Sequence, residues 1–246
     1  MKVSVIIPAY NEELYIKKCL DGLANQIEKP DEIIVVNNNS TDNTVLIAEK
    51  YPVRIVNETA QGMIQARNRG FNEAQYEIIA RTDSDTIVPP DWIKKIKENF
   101  LDPDVVAVSG LANVYDMTSH LSKQAAMQSL KSYMRLMKSA LGHDCLIGPN
   151  MAIRKTVWEQ AKGTVCLDNH EVHEDIDLTI HFAPFGKIKV DPTLVVSSSF
   201  RRFKKLQSYI EYPLRAVKSV QKHKQYTVKA RGTAFIKKIA AKALNI

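Results

Sequence analysis

The residues best placed to do chemistry are the acids of Arg81-Thr82-Asp83-Ser84-Asp85-Thr86, which directly follow the apolar run 76–80. Alternate residues of an extended segment share a face, so Asp83 and Asp85 at the mouth of a strand can aim their carboxylates toward one side. Two oxygen ligands of this kind suit one hard cation, Mg²⁺ or Mn²⁺, and leave coordination positions open for the phosphates of a bound nucleotide. A cation there would neutralise charge growing on a departing diphosphate. Spacing alone does not single out this pair, because Asp-x-Asp recurs at Asp102-Pro103-Asp104 and Asp175-Ile176-Asp177. Asp102 and Asp104 flank a proline before another strand-like run and read as a solvated turn.

The elements that must position these acids alternate in type. Residues 3–8 are a short apolar run ended by Pro8, and 12–26 carry Ile16, Leu20, Leu23 and the following Ile27 at helical spacing. The same pattern recurs in 32–37 then 43–51, in 53–57 then 62–74, and in 77–82 then 91–100, with 105–111 as a further strand. Alternating Val/Ile-rich strands and helices predict an α/β fold: a parallel sheet covered on both faces, with ligands at the carboxyl ends of the strands. Asn11, Asn38 and Asp83 each follow a strand, which brings them toward one cleft.

The chain has 246 residues, 45% hydrophobic and 25% charged, as expected of one globular domain of enzyme size. No apolar stretch approaches the ~20 residues of a membrane-spanning helix. Met1-Lys2 leads straight into a strand instead of a signal peptide, so the expected location is the cytoplasm. Cys19, Cys145 and Cys166 form no CxxC pair and read as reduced packing residues; the spacing of Cys145, Cys166, His170 and His173 matches no familiar zinc site. There is no G-x-G-x-x-G and no G-x-x-x-x-G-K-[ST], and the first strand runs into Pro8-Ala9-Tyr10-Asn11-Glu12-Glu13. These absences disfavour dinucleotide dehydrogenases, kinases, ordinary NTPases and sugar nucleotidyltransferases, and leave phosphate neutralisation to a metal.

The net charge of +7 is unevenly spread. From Phe200 onward fall 13 of the 34 basic residues and one of the 27 acidic ones, Glu211, so this segment carries +12 and the rest −5. Such a tail suits an anionic partner. Over 235–246, Phe235, Ile236, Ile239, Ala240, Ala243, Leu244 and Ile246 fill one half of a helical wheel, opposite Lys237, Lys238, Lys242 and Asn245. This amphipathic basic helix either packs on the domain or lies on an anionic membrane surface. Nucleic acid is not expected as a partner, because few aromatics interleave with the bases and no recognition motif is present.

Over residues 3 to about 203 the chain resembles the GT-A glycosyltransferases of family 2. The resemblance rests on Val3-Ser4-Val5-Ile6-Ile7-Pro8-Ala9-Tyr10-Asn11-Glu12, Ile34-Val35-Val36-Asn37-Asn38-Asn39-Ser40-Thr41-Asp42, Ala66-Arg67-Asn68-Arg69-Gly70, Asp83-Ser84-Asp85, Gly148-Pro149-Asn150-Met151 and Glu174-Asp175-Ile176-Asp177-Leu178, in that order. It implies a Rossmann-like, mostly parallel central sheet with helices on both faces over 1–203, followed by a basic helical extension over 204–246. The family often has Asp where this chain has Asn37 and Asn38, which leaves the base open between UDP and GDP. The family's closing aromatic and arginine are approximated by Phe200-Arg201-Arg202-Phe203.

The resemblance also implies roles. Pro8, Tyr10 and Glu12, with Asn38 and Asp42, would hold the nucleoside, and Arg67 and Asn68 would line the same pocket. Asp83 would lie toward ribose or metal and Asp85 on the metal, Mn²⁺ or Mg²⁺. Asp175 would deprotonate an acceptor hydroxyl while the diphosphate leaves from the opposite face of the anomeric carbon, inverting the stereochemistry. The implied activity is transfer of a hexosyl or N-acetylhexosaminyl unit from a nucleoside-diphosphate sugar. Glu174 or Asp177 also reads as a charge favoured in a helix's first turn, Tyr10 as base-stacking or core, and His170 and His173 carry no assigned role.

Met127, Leu130, Met134, Met137 and Leu141 form one apolar helical stripe, which packs either against the sheet or a second subunit of a homodimer, or forms a groove for a lipid acceptor. Taken with the basic tail, the groove suits a polyprenyl phosphate or a glycan intermediate of the cell envelope. Two other classes stay open: a catalytically inert nucleotide-sugar binding module, and a basic membrane-surface protein that needs only the tail.

Overall fold

In the first strand, β1 (Val3–Ala9), side chains alternate between two apolar layers, Val3, Val5, Ile7 and Ala9 on one side and Ile6 on the other. A strand buried on both faces belongs inside a covered sheet. The computed structural model describes residues 1–168, 172–201 and 206–223. Among them the other strands are β2 (Glu32–Asn37), β3 (Arg54–Asn57), β4 (Ile78–Arg81), β5 (Thr86–Ile87), β6 (Val105–Val114), β7 (Met151–Arg154) and β8 (Lys187–Ser198). The helices are α1 (Ile16–Ala24), α2 (Thr44–Ala48), α3 (Met63–Glu73), α4 (Trp92–Asn99), α5 (His120–Leu141), α6 (Lys155–Ala161), α7 (Glu174–Phe182) and α8 (Leu206–Lys222).

The strands join in one sheet of order β3-β2-β1-β4-β7-β6-β8-β5. β1 pairs in parallel with β2 and β4, β2 with β3, and β6 with β8. β7 runs antiparallel to both β4 and β6, and β5 antiparallel to β8. The sheet is therefore mixed rather than purely parallel, for a reason of connectivity. After β6 the long helix α5 and a short 3-10 turn, Gly148–Asn150, deliver the chain to the carboxyl-end edge, and β7 runs back from there. That reversal sets the turn beside the end of β4, where Thr82 Oγ1 donates to the Pro149 carbonyl at 3.0 Å.

Three apolar clusters hold the layers. Ile16, Cys19, Leu20 and Leu23 of α1 and Trp92, Ile93 and Ile96 of α4 cover one face. Ala66 and Phe71 of α3, Val157 and Trp158 of α6 and Leu178 and Phe182 of α7 cover the other. Gly70 lets α3 approach β1, since a Cβ there would meet Ile6 Cγ2 at 2.1 Å. The third cluster packs Met134, Met137 and Leu141 of α5 against Ile176 and Ile180 of α7 and Ala216 and Val220 of α8, with Met127 and Leu130 partly buried. The methionine stripe thus packs largely on its own chain.

All three cysteines are free thiols, Cys19 and Cys145 in the core, and burial pushes the Cys145 thiol up to about 12. Asp102 accepts the N–H of Asp104 at 3.0 Å in an exposed turn ahead of β6, away from the carboxyl ends of the parallel strands. No helix among the described residues is long and apolar enough to cross a membrane. His170, Arg202 and Phe203, and the amphipathic segment 235–246, lie outside the described residues.

Candidate active site

The loops after β1 and β2 are built as one unit. Asn11 and Asn39 adopt positive φ, 53° and 64°, a region asparagine tolerates better than most residues. Asn11 Oδ1 accepts the N–H of Thr41 at 2.8 Å, and Thr44 Oγ1 accepts that of Glu12 at 2.7 Å. Asp42 ties the unit together, accepting the N–H groups of Glu13 at 3.0 Å and Thr44 at 2.9 Å and the Thr44 hydroxyl. Burial works against the Asp42 carboxylate, but these hydrogen bonds outweigh it and hold its pKa below the usual value.

Asn38 braces the next loop. Its amide nitrogen donates to the carbonyls of Glu58 and Ala60, both at 2.8 Å, and its amide oxygen accepts the N–H of Gly62 at 2.8 Å. A carboxylate has no proton for those two carbonyls. This explains an asparagine at a position where the family often has aspartate.

These loops enclose a cleft of about 180 Å³ lined by Pro8, Tyr10, Glu12, Asn38, Asp83, Ser84, Asp85 and Arg201, with Gln61, Gly62, Met63 and Ala66 on the side of α3. Arg201 lies across its acidic wall: Nε donates to Asp85 at 2.8 Å, a second nitrogen to Glu12, and the guanidinium stacks 4.3 Å from the Tyr15 ring centroid. Burial, reinforced by Asp85, raises the Glu12 carboxyl above its ordinary pKa despite the Arg201 hydrogen bond. The wall is made of carboxylate oxygens and already attracts a cationic side chain. A hard divalent ion fits this donor set, with phosphate oxygens completing its shell.

A second acidic group stands behind the first, joined to it by Arg81. This arginine ends β4, is 1% exposed, and donates to Asp83 at 3.1 Å and Glu174 at 2.9 Å, with Asp175 at 3.5 Å. Burial opposes its charge, yet Glu174, Asp83 and Asp175 together raise its pKa. Asp175, in the first turn of α7, also accepts the N–H of Gly148 at 2.8 Å. A Cβ at Gly148 would come within 2.9 Å of Arg81 and 3.0 Å of Asp175, so glycine is what admits this contact. Burial, then the Glu174 charge, raise the Asp175 pKa, while Arg81, His173 and the Gly148 N–H oppose the rise.

Of the residues singled out in the sequence, Pro8, Tyr10, Glu12, Asn38, Asp83 and Asp85 come together on the cleft, and Asp175 connects to it through Arg81. Asp42, Arg67 and Asn68 do not line it. Arg67, 0% exposed, donates to Asn68 Oδ1 at 3.0 and 2.7 Å and to the Glu174 carbonyl at 3.4 Å, so it struts α3 against α7. Arg81, Ser84 and the pairing of Arg201 were missed. A charged residue closing the otherwise apolar strand Ile78–Arg81 was the available signal for Arg81.

The sequence profile of glycosyl transferase family 2 matches residues 4–161. The chain belongs to that family. The mannosyltransferase PcManGT from Pyrobaculum calidifontis, solved in complex with GDP-Man and Mn²⁺, superposes with TM-score 0.73 at 25% identity over 98% of this chain and 69% of that one. S. aureus TarS 1-349 in complex with UDP-GlcNAc shares the fold, with TM-score 0.65 at 19% identity over 100% of this chain and 72% of that one. Dolichol-phosphate mannosyltransferase of Pyrococcus furiosus is 34% identical over 114 residues, 44% of this chain and 32% of that protein. The chain spans about a third of the length of such curated relatives. The fold is GT-A, shared with these structural neighbours.

Proposed function

We propose that this family 2 member is an inverting glycosyltransferase that moves a hexosyl or N-acetylhexosaminyl unit from a UDP- or GDP-linked sugar to an acceptor hydroxyl or phosphate. The observation that carries this reading is Arg81, whose guanidinium contacts Asp83 on the cleft wall and Glu174 and Asp175 at the head of α7. A donor site and a base site joined by one rigid cation suit a single displacement. The GDP-Man and Mn²⁺ in PcManGT and the UDP-GlcNAc in TarS support the donor class.

In this reading Pro8, Tyr10 and Glu12 contact the nucleoside, Asn38 and Asp42 set its loops, and Arg67 and Asn68 hold the α3 wall in place. Asp85 and Asp83 hold Mn²⁺ or Mg²⁺, which when bound supplies positive charge opposite the leaving diphosphate. Asp175 takes the proton of the acceptor hydroxyl as its oxygen bonds to the anomeric carbon. The bond from that carbon to the diphosphate breaks on the opposite face.

The acceptor approaches through a larger cavity of about 540 Å³ between the end of β6 and the first turns of α5, where His120 and Lys123 face Tyr115 and Met127. Its basic rim and thioether suit a polyprenyl phosphate or a glycan carried on lipid, and the basic extension 204–246 holds the enzyme on an anionic membrane surface. The P. furiosus relative, a dolichol-phosphate mannosyltransferase, supports that acceptor class.

Two variants test the division of labour. Asp85→Ala is expected to lose metal-dependent nucleotide binding, and Asp175→Asn to keep donor binding while losing ~10²–10⁴-fold in transfer. Normal turnover in both overturns the reading. For the acceptor, activity on soluble acceptors that is indifferent to anionic liposomes and to deletion of 224–246 rules out the membrane-bound class.

A further inference from the structure

α7 and α8 meet at a buried cluster that the cleft does not use. Asp177 and His181 lie one turn apart on α7, and His223 directly follows α8. Nε2 of His181 and Nε2 of His223 are 3.0 Å apart, and Asp177 Oδ1 lies 3.6 Å from the first and 3.3 Å from the second. All three side chains are buried, and their ligand atoms lie within 4.8 Å of one another.

The surrounding hydrogen bonds fix which atoms carry lone pairs. His223 Nδ1 is 2.8 Å from the carbonyl of Ser219, which only accepts, so the ring proton sits on Nδ1. His181 Nδ1 is 3.0 Å from Thr164 Oγ1, whose own proton goes to the Ala161 carbonyl at 2.8 Å, so His181 Nδ1 also donates. In the neutral imidazoles both Nε2 atoms are then acceptors, turned toward each other. Asp177 Oδ1 is a third, its partner oxygen being engaged by the Cys166 N–H at 3.0 Å.

Three lone-pair atoms within 4.8 Å of one another form a converging donor set for a cation. A metal ion matches the spacing. Ligands of a tetrahedral Zn²⁺ at ~2.0–2.1 Å stand ~3.3 Å apart, against 3.0, 3.3 and 3.6 Å here. Metal-bound imidazoles anchor their second N–H on a carbonyl, carboxylate or water in the same way.

We propose that Asp177, His181 and His223 bind one divalent cation of the Zn²⁺ class, clipping the end of α8 onto α7. Two imidazoles and one carboxylate make a softer donor set than the all-carboxylate wall of the cleft, so the two sites select different ions. The clip acts on the helix whose first turn carries Glu174 and Asp175, and it reinforces the bond from the His173 N–H to Ser219 Oγ at 2.7 Å.

The test uses the full chain and Zn²⁺ as the probe. After chelation and dialysis, the protein is expected to take up one equivalent of Zn²⁺, to raise its Tm by roughly 5–10 °C at a hundredfold excess of Zn²⁺ over its Kd, and to show tetrahedral Co²⁺ absorption bands on substitution. Asp85→Ala should keep this equivalent. His223→Gln and His181→Gln should lose it, and a circular dichroism spectrum like wild type identifies the variant that folds. Wild-type protein that takes up no Zn²⁺, or a folded His223→Gln or His181→Gln that still binds one equivalent with the same Tm shift, overturns the proposal.

Discussion

The guanidinium of Arg81 lies 3.5 Å from the carboxylate of Asp175 at the head of α7. Burial and Glu174 raise the Asp175 pKa, and Arg81 is the first of the groups that restrain it. A base works deprotonated, so with Asp175 in the proposed role transfer is expected to rise with pH through the raised pKa, placing the acid limb above the ordinary carboxylate value of 3.8. Removing Arg81 would take the shared buried cation from Asp83, Glu174 and Asp175, a loss of ~3–5 kcal/mol. Glu174→Gln is the gentler probe: it deletes the like charge and moves the acid limb of kcat/KM to lower pH. A limb that stays in place would disconnect Asp175 from the chemistry.

Asn38→Asp replaces an amide that donates to two carbonyls with a group that cannot donate. Leaving such acceptors unsatisfied costs ~1–3 kcal/mol. Urea unfolding is expected to register that loss, together with weaker nucleotide binding as the loop bearing Gly62 and Met63 loosens. A change within the ~0.5 kcal/mol typical of a surface substitution would contradict the bracing role.

Arg201 neutralises Asp85 and Glu12 from a half-exposed position. A divalent ion on Asp85 therefore competes with it. Arg201→Ala is expected to tighten Mn²⁺ binding to the nucleotide-free protein about tenfold, equivalent to about 1.4 kcal/mol. Titration calorimetry reads this directly, and equal or weaker affinity would show that guanidinium and metal do not share the wall.

Gly70→Ala places a methyl 2.1 Å from Ile6 Cγ2 and 3.0 Å from Val36 Cγ2. Overpacking of this kind costs ~1–3 kcal/mol. Thermal unfolding should show it, whereas a stability equal to wild type would mean that α3 has room to retreat from β1.

Much of the fold was legible because each strand and helix announces itself locally. The first helix, expected over 12–26, spans Ile16–Ala24, with Glu12 and Glu13 held in the preceding loop by their N–H bonds to Thr44 and Asp42. The reversed direction of β7 could not be read locally, since pairing direction is decided by contacts distant in sequence. The cleft residues were legible for the same reason as the fold: they follow strands. Arg81 and Arg201 were not, because, Asp83 beside Arg81 apart, their partners lie 93 to 94 and 116 to 189 residues away. The pair Asp177 and His181 carries a one-turn spacing, but His223 is 42 residues beyond His181 and completes the cluster only in three dimensions.

The most direct test of the central claim is release of free UDP or GDP from a panel of sugar nucleotides, with and without Mn²⁺, by the wild-type chain and Asp85→Ala. One donor is expected to be turned over by wild type only when the ion is present, and by the variant not at all. Turnover that is unchanged by chelation, or equal in Asp85→Ala, would contradict a metal and diphosphate site at Asp83 and Asp85.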